Sequence, residues 1–163
     1  MIRPFIVSAL LIILTETSFP QNNDTLVLYH PDMDAVEQID QAILLAQSEN
    51  KHVLIQVGGN WCPWCIRLHK FIKQHQTLDS LIRADYVLLH VNYSMENKNP
   101  EAMKRLEFPQ RFSFPVFVIL DAEGKRLHTQ NTAYLEEKES YNEEKIKEFL
   151  LNWNYSAINP ETY

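Results

Sequence analysis

The sequence has few of the residues on which several protein classes depend. Its 163 residues include only two cysteines, which excludes a scaffold held together by several disulfides. Lys and Arg are also scarce, at 15 against 21 Asp and Glu, and the net charge is −6. This balance argues against nucleic acid as a partner, because that affinity rests on basic residues that neutralise phosphates. Two cysteines are still the smallest number that can carry out dithiol chemistry.

The remaining composition is that of an ordinary globular protein. Hydrophobic residues make up 45% and charged residues 22%, which argues against wholesale disorder. The length suits a single domain with a sizeable core. Only three glycines are present, and two of them are adjacent at Gly58-Gly59, immediately before the cysteines.

The first twenty residues have the order of a secretory signal. Arg3 supplies a positive charge, Phe5 to Leu14 form an apolar run broken only by Ser8, and a short polar stretch follows. We predict a signal peptide over residues 1–20, with cleavage between residues 16 and 24, and therefore a secreted or periplasmic protein. An uncleaved membrane anchor is the alternative, although the run is about half of the roughly 20 residues that a span requires.

After this segment, strand and helix patterns alternate along residues 21–153. An apolar stripe at helical spacing indicates the first helix, and β-branched apolar runs indicate buried strands. We predict strands at 25–29, 53–57, 86–91, 116–120 and 126–130. We predict helices from a cap at Asp32 or Asp34 to about 48, from 62 through at least 72, at 77–84 and 101–106, and from 141 to about 153. Ser140 and Glu143 fit a capping box for the last helix. The order predicts an α/β domain with a mixed sheet and helices on both faces, followed by a tail at 154–163.

The segment Trp61-Cys62-Pro63-Trp64-Cys65 carries the candidate chemistry. It follows a predicted strand and opens a predicted helix, with Cys62 at the N-cap and Pro63 at the first helical position. Free backbone N–H groups and the positive end of the helix dipole then stabilise a thiolate at Cys62. Cys65 lies one turn further on and can resolve a mixed disulfide. The pattern favours redox chemistry.

Three alternatives remain open for this segment. A purely structural disulfide would close a four-residue loop and contribute only roughly 2 kcal/mol. Copper or zinc binding would add His69, which shares a helical face with Cys62 and Cys65. A redox-inactive binding module would instead use an apolar surface around the motif, formed by Trp61, Trp64, Tyr93, Phe112 and Phe114.

Residues 53–65 followed by 114–118 resemble the thioredoxin superfamily, and in particular its secreted bacterial members. The first block is similar to that family's strand, loop and Trp-Cys-x-x-Cys, and the second to its cis-proline loop. The resemblance implies a thioredoxin-like fold and a protein-disulfide oxidoreductase without a cofactor. Its partners would be protein thiols or disulfides and a redox partner protein. It also implies that Cys62 attacks, Cys65 resolves, and Trp61 shields the site.

The same resemblance implies supporting roles for Phe114 and Pro115, with a cis bond that leaves room for a substrate backbone. Two departures stand out. Pro63-Trp64 replaces the usual Gly-Pro between the cysteines, and Gln56 occupies the position of a buried acid. Since an amide is neither acid nor base, we expect proton transfer to use water or His90, which falls near that position.

Overall fold

The computed structural model describes residues 26–162 of the chain. The helices are α1 (Ala35–Glu49), α2 (Pro63–Gln74), α3 (Gln76–Asp85), α4 (Pro100–Arg105), α5 (Glu143–Asn152) and α6 (Tyr155–Ile158). The strands are β1 (His52–Gly58), β2 (Tyr86–Asn92), β3 (Val116–Leu120), β4 (Arg126–Asn131), β5 (Glu136–Glu137) and β6 (Ser140–Tyr141). Three short 3₁₀ helices lie at Pro109–Phe112, Thr132–Leu135 and Pro160–Thr162.

The central sheet has the strand order β2-β1-β3-β4. β1 pairs with β2 in parallel and with β3 antiparallel, and β3 and β4 form an antiparallel hairpin. The sheet is therefore mixed, as predicted. The hairpin turn contains Gly124 at φ 81°, a conformation that glycine adopts without strain. The last residues of β1 lie beside the first residues of β3, and this edge of the sheet carries the candidate site.

Alternation along β1 divides the core between the two faces of the sheet. Val53, Ile55 and Val57 face α1 and α4, whereas Leu54 faces the side that holds α2, α3 and α5. Every residue of β1 is buried, as expected for a central strand covered by helices on both faces. The predicted α/β architecture is confirmed.

The first predicted strand, at 25–29, does not form over the residues that the structure describes. Residues 26–30 form no strand, and the side chain of Asn60 takes up their backbone groups instead. Asn60 Oδ1 accepts hydrogen bonds from the N–H groups of Leu28 and Tyr29 at 2.9 and 3.1 Å, and Asn60 Nδ2 donates to Tyr29 O at 2.7 Å. The described elements therefore begin with α1, and residues 26–30 lie against the loop that precedes the cysteines.

The predicted capping box of the last helix is also wrong. Asn142 is the N-cap of α5, and its Oδ1 accepts from the N–H of Lys145 at 3.0 Å. Ser140 instead belongs to β6, which pairs with β5.

Part of the predicted tail at 154–163, for which the sequence shows no regular pattern, forms α6. No helix in the described part of the chain is long and apolar enough to cross a membrane. The predicted signal peptide lies outside the described residues.

Candidate active site

Cys62 is the N-cap of α2, as predicted. Its backbone is extended (φ −96°, ψ 107°), and its Sγ accepts a hydrogen bond from the N–H of Cys65 at 3.2 Å. Pro63 occupies the first turn, where its missing N–H leaves no intrahelical bond unmade. The sulfur of Cys62 therefore lies at the positive end of a twelve-residue helix, where the N–H of Cys65 and the helix dipole stabilise an anion.

Cys62 and Cys65 form a disulfide, with their Cα atoms 5.2 Å apart. This separation falls within the range of roughly 4.4–6.8 Å that disulfides require. Both side chains are buried, Cys65 completely. The sulfur at the N-cap is therefore the one closer to solvent, and the sulfur one turn further along the helix lies in the interior.

The adjacent glycines before the motif make room for the site. A methyl group on Gly58 would lie 2.5 Å from Cys65 Sγ and 2.9 Å from Tyr29 Oη, so both atoms border the same small space. On Gly59, a methyl group would meet the indole of Trp61 at 2.2 Å and the carbonyl oxygen of Tyr93 at 3.0 Å. Neither position accepts a side chain without displacing a neighbour in the site.

A buried polar layer lies beneath Cys65. The side chain of Gln56 is 1% exposed, and its Nε2 donates to Tyr29 Oη at 2.6 Å and to the Cys65 carbonyl oxygen at 3.2 Å. Gln56 thus makes two buried hydrogen bonds where the family resemblance implies an acid. Burial raises the pKa of Tyr29 well above its ordinary value, so its hydroxyl is neutral at physiological pH.

His90 belongs to the same layer, since it pairs with Gln56 in the register of β2 and β1. Its ring meets Tyr29 edge-on at 5.5 Å and His69 at 5.4 Å, measured between ring centroids. His90 Nε2 is buried and has no hydrogen-bond partner among residues 26–162. Burial lowers the pKa of His90 to about 4, so the ring is a weak base at neutral pH. A proton relay through His90 stays a prediction.

The Phe114–Pro115 peptide bond is cis, as the family resemblance implies. Phe114 packs against the buried cluster that contains both cysteines, and it joins two further aromatic rings at the surface. It stacks on Tyr93 at 5.0 Å and meets the Trp61 ring at 5.6 Å, and Trp61 Nε1 donates to Tyr93 O at 2.8 Å. Trp61 is 56% exposed, so this three-ring patch faces solvent beside the disulfide.

The other two aromatic residues predicted for this surface, Trp64 and Phe112, make no ring contact with the three-ring patch in the described part of the chain, although Trp64 packs against the buried cluster that contains both cysteines. Trp64 packs edge-on against Tyr141 at 5.5 Å, with the Arg67 guanidinium 4.4 Å from the centre of its ring. Phe112 packs against the core on the α1 side of the sheet. The three-ring patch therefore contains three of the five rings predicted for this surface. It borders a cavity of about 310 Å³ that Met95 and Lys98 also line.

The metal alternative receives no support from the structure. Within residues 26–162, no three His, Cys, Asp or Glu side chains are grouped so that they could hold a metal ion. His69, the third ligand of that alternative, instead lies against His90. Its pKa is lowered by burial and by the charge of Lys73.

Tyr29 is the site residue that the sequence did not indicate. The pattern at 25–29 is that of a strand, and no local signal places its ring under a cysteine 36 positions later. The hydrogen bonds that hold it come from Asn60 and Gln56, both distant in sequence.

The fold and the motif agree with the comparisons. Residues 39–143 match the thioredoxin-like domain family. The disulfide bond reductase DsbH of Chlamydia pneumoniae is 28% identical over 97 residues, which span 56% of this chain and 58% of that relative. The disulphide isomerase of Xylella fastidiosa has a similar structure, with a TM-score of 0.68 at 22% identity, over 78% of this chain and 96% of that one.

A second solved structure, titled DsbH oxidoreductase, superposes with a TM-score of 0.51 at 18% identity, over 68% of this chain and 77% of that one. At such identities these structural likenesses establish the fold. The family match is independent of them and covers more than half of the chain, including both cysteines. The chain belongs to the thioredoxin-like family.

Proposed function

We propose that the chain is a thiol–disulfide oxidoreductase that exchanges disulfides with proteins through Cys62 and Cys65. The observation that carries the proposal is the position of Cys62 Sγ at the N-terminus of α2, where it accepts a hydrogen bond from the N–H of Cys65. A sulfur held there is stabilised as a thiolate, the form that attacks disulfides. The relative named disulfide bond reductase supports the same chemistry.

The reaction proceeds in two exchanges. The Cys62 thiolate attacks a substrate disulfide, so a Cys62–substrate bond forms and the second substrate sulfur leaves as a thiolate. Cys65 then loses its proton, to water or to His90, and attacks Cys62 Sγ. The Cys62–Cys65 disulfide forms, and the first substrate sulfur leaves with the electron pair. The reaction runs in either direction, according to the potential of the partner.

The three-ring patch supplies the contact surface for the substrate in this proposal. Trp61, Tyr93 and Phe114 lie beside the disulfide, and their apolar faces suit the side chains that flank a disulfide in an unfolded chain. The cis bond before Pro115 lies next to this patch. A redox-inactive binding module could use the same patch to bind unfolded chains. The experiment must therefore measure binding and disulfide reduction separately.

Insulin reduction by dithiothreitol tests the proposal. The wild-type protein is expected to accelerate the precipitation of the insulin B chain, and Cys62→Ala to abolish the acceleration. Ser48→Ala, on the exposed surface of α1, is the control for an alanine substitution remote from the site. A wild type that fails to accelerate the reaction, or a Cys62→Ala variant that retains it, contradicts the proposal. Capture of unfolded insulin without reduction would favour the binding module.

We also propose that the protein acts in a secreted or periplasmic location, where disulfides persist. The support comes from the charged, apolar and polar order of residues 1–20. Mass spectrometry of the exported protein is expected to find its N-terminus between residues 16 and 24. An intact Met1 in a cytosolic fraction would contradict this location.

A further inference from the structure

The buried thiol of the site lacks the ionisable neighbour that the family resemblance implies, and a different group occupies the space next to it. Gln56 provides only an amide at that position. The Oη of Tyr29 borders the same space above Gly58 as Cys65 Sγ, and Tyr29 packs in one buried cluster with both cysteines.

The hydrogen bonds of this layer leave the proton of the Tyr29 hydroxyl available for a further acceptor. Gln56 Nε2 donates to Tyr29 Oη at 2.6 Å, so the phenol oxygen acts as an acceptor in that bond. The amide orientation is set by a second bond from Nε2 to the Cys65 carbonyl oxygen at 3.2 Å. A hydroxyl that accepts from one neighbour keeps its own O–H for another. No hydrogen bond from Tyr29 Oη to an acceptor is present among residues 26–162.

We propose that the O–H of Tyr29 donates a hydrogen bond to Cys65 Sγ in the reduced protein, and that it stabilises the Cys65 thiolate during resolution of the mixed disulfide. This role rests on the function proposed above. Tyr29 does not exchange its proton in the step. Cys65 loses its proton to water or to His90, the thiolate attacks Cys62 Sγ, and the electron pair leaves with the substrate sulfur.

The surroundings of Cys65 favour Tyr29 over the other groups as this donor. Tyr29 is completely buried, so its hydroxyl is protonated and water does not compete for it. The two neighbouring imidazoles, His69 and His90, have lowered pKa values, so neither offers a positive charge to a thiolate at physiological pH. The other titratable groups that act on this layer are Cys62 at the N-cap of α2, Lys73 on α2 and Tyr141 on β6.

The test measures the pKa of Cys65 alone, in the full chain with the Cys62→Ala substitution and a ¹³C label on Cys65 Cβ. In this background, Tyr29→Phe keeps the ring and removes the hydroxyl. A hydrogen bond to a charged group of ordinary strength predicts a rise in the Cys65 pKa of about one unit, or a tenfold smaller thiolate fraction below that pKa. An unchanged or lower pKa would overturn the proposal.

Two control variants separate this role from general damage to the core. Tyr86→Phe removes the hydroxyl of another buried tyrosine, at the first residue of β2, which donates to Leu150 O of α5. We expect this variant to leave the Cys65 pKa unchanged. His90→Phe keeps an aromatic ring in the layer and removes the imidazole. A pKa shift of equal size in His90→Phe, or in Tyr86→Phe, would also overturn the assignment to Tyr29.

The resolution step gives a second and independent measurement. With Cys62 held as a mixed disulfide with thionitrobenzoate, attack by Cys65 releases the coloured thiol. In Tyr29→Phe the thiolate fraction of Cys65 is expected to be tenfold smaller, but the more basic thiolate is also the better nucleophile. Together the two effects predict that the coloured thiol is released about fourfold more slowly at neutral pH. The deficit is expected to reverse once the pH exceeds both Cys65 pKa values. A deficit that is the same at every pH would contradict the proposal.

The two proposals fail in different measurements. A wild type that does not reduce insulin defeats the proposed function, whatever the Cys65 pKa. An active wild type whose Cys65 pKa is unchanged by Tyr29→Phe defeats only the assignment of Tyr29.

Discussion

The buried polar layer makes a strong prediction for Gln56→Glu in the oxidised protein. The side chain is 1% exposed, and the amide donates to Tyr29 Oη and to the Cys65 carbonyl oxygen. A protonated carboxyl donates one hydrogen bond where the amide donates two, at a cost of about 1 kcal/mol. An ionised carboxylate also places its charge against the Cys65 carbonyl oxygen in a dry environment, which raises the carboxyl pKa.

The size and sign of the pH effect follow from this burial. Fully buried carboxyl groups shift by up to about 3–5 pKa units, and a hydrogen bond from Tyr29 to the carboxylate offsets part of that shift. A net rise of about two units in the pKa of the carboxyl that Gln56→Glu introduces corresponds to a loss of about 3 kcal/mol in the free energy of unfolding. The unfolded carboxyl ionises near its ordinary pKa of about 4.3, whereas the folded one keeps its proton to a higher pH. The penalty is therefore smallest below pH 4.3 and grows as the pH rises to the folded pKa.

Urea unfolding of the wild type and of Gln56→Glu at pH 4 and pH 7 measures this difference. We expect the variant to lose about 3 kcal/mol more than the wild type between the two pH values. Gln76→Glu, at the exposed first residue of α3, makes the same chemical change in solvent and is expected to stay within about 0.5 kcal/mol of the wild type. A difference between Gln56→Glu and the wild type that does not grow with pH would refute the reasoning.

Two further variants test the packing and the titration of the same layer. Gly58→Ala puts a methyl group 2.5 Å from Cys65 Sγ and 2.9 Å from Tyr29 Oη. We expect this overpacking to lower the free energy of unfolding, measured in urea, by about 2 kcal/mol. A variant as stable as the wild type would contradict this. Burial lowers the pKa of His90 in the folded protein to about 4, below its ordinary 6.5. Between these two pH values the unfolded chain binds a proton that the folded protein does not, so the free energy of unfolding falls as the pH falls from about 6.5 to about 4. His90→Phe is expected to flatten this dependence by about 2–3 kcal/mol, and an unchanged pH profile of unfolding would contradict that account.

Local patterns were enough to predict most of the fold. The apolar run at 53–57 predicts a buried strand, and it forms most of β1. The Cys62-Pro63 pair predicts a helix start, and it begins α2. The turn before β4 was predictable because Gly124 supplies the positive φ that it needs. The position of the candidate disulfide follows from these elements, since the motif lies where β1 ends and α2 begins.

The failures arose where distant residues decided the outcome. The apolar run at 25–29 has the composition of a strand, but Asn60 binds the backbone groups that a neighbouring strand would have paired. Ser140 and Asn142 are both good N-caps, and the pairing of β5 with β6 assigns Ser140 to a strand and leaves Asn142 to begin the helix. Tyr29 escaped prediction for the same reason, because its role depends on Gln56 and Gly58 across the fold.

The account depends most directly on the acidity of the Cys62 thiol in the reduced wild-type protein. Its pKa is measurable from the pH dependence of alkylation by iodoacetamide, with mass spectrometry to assign the modified cysteine. A sulfur that accepts a helical N–H at the N-terminus of α2 is expected to have a pKa below about 7.5, compared with about 8.5 for a free cysteine. A Cys62 pKa at or above that of a free cysteine would contradict the account.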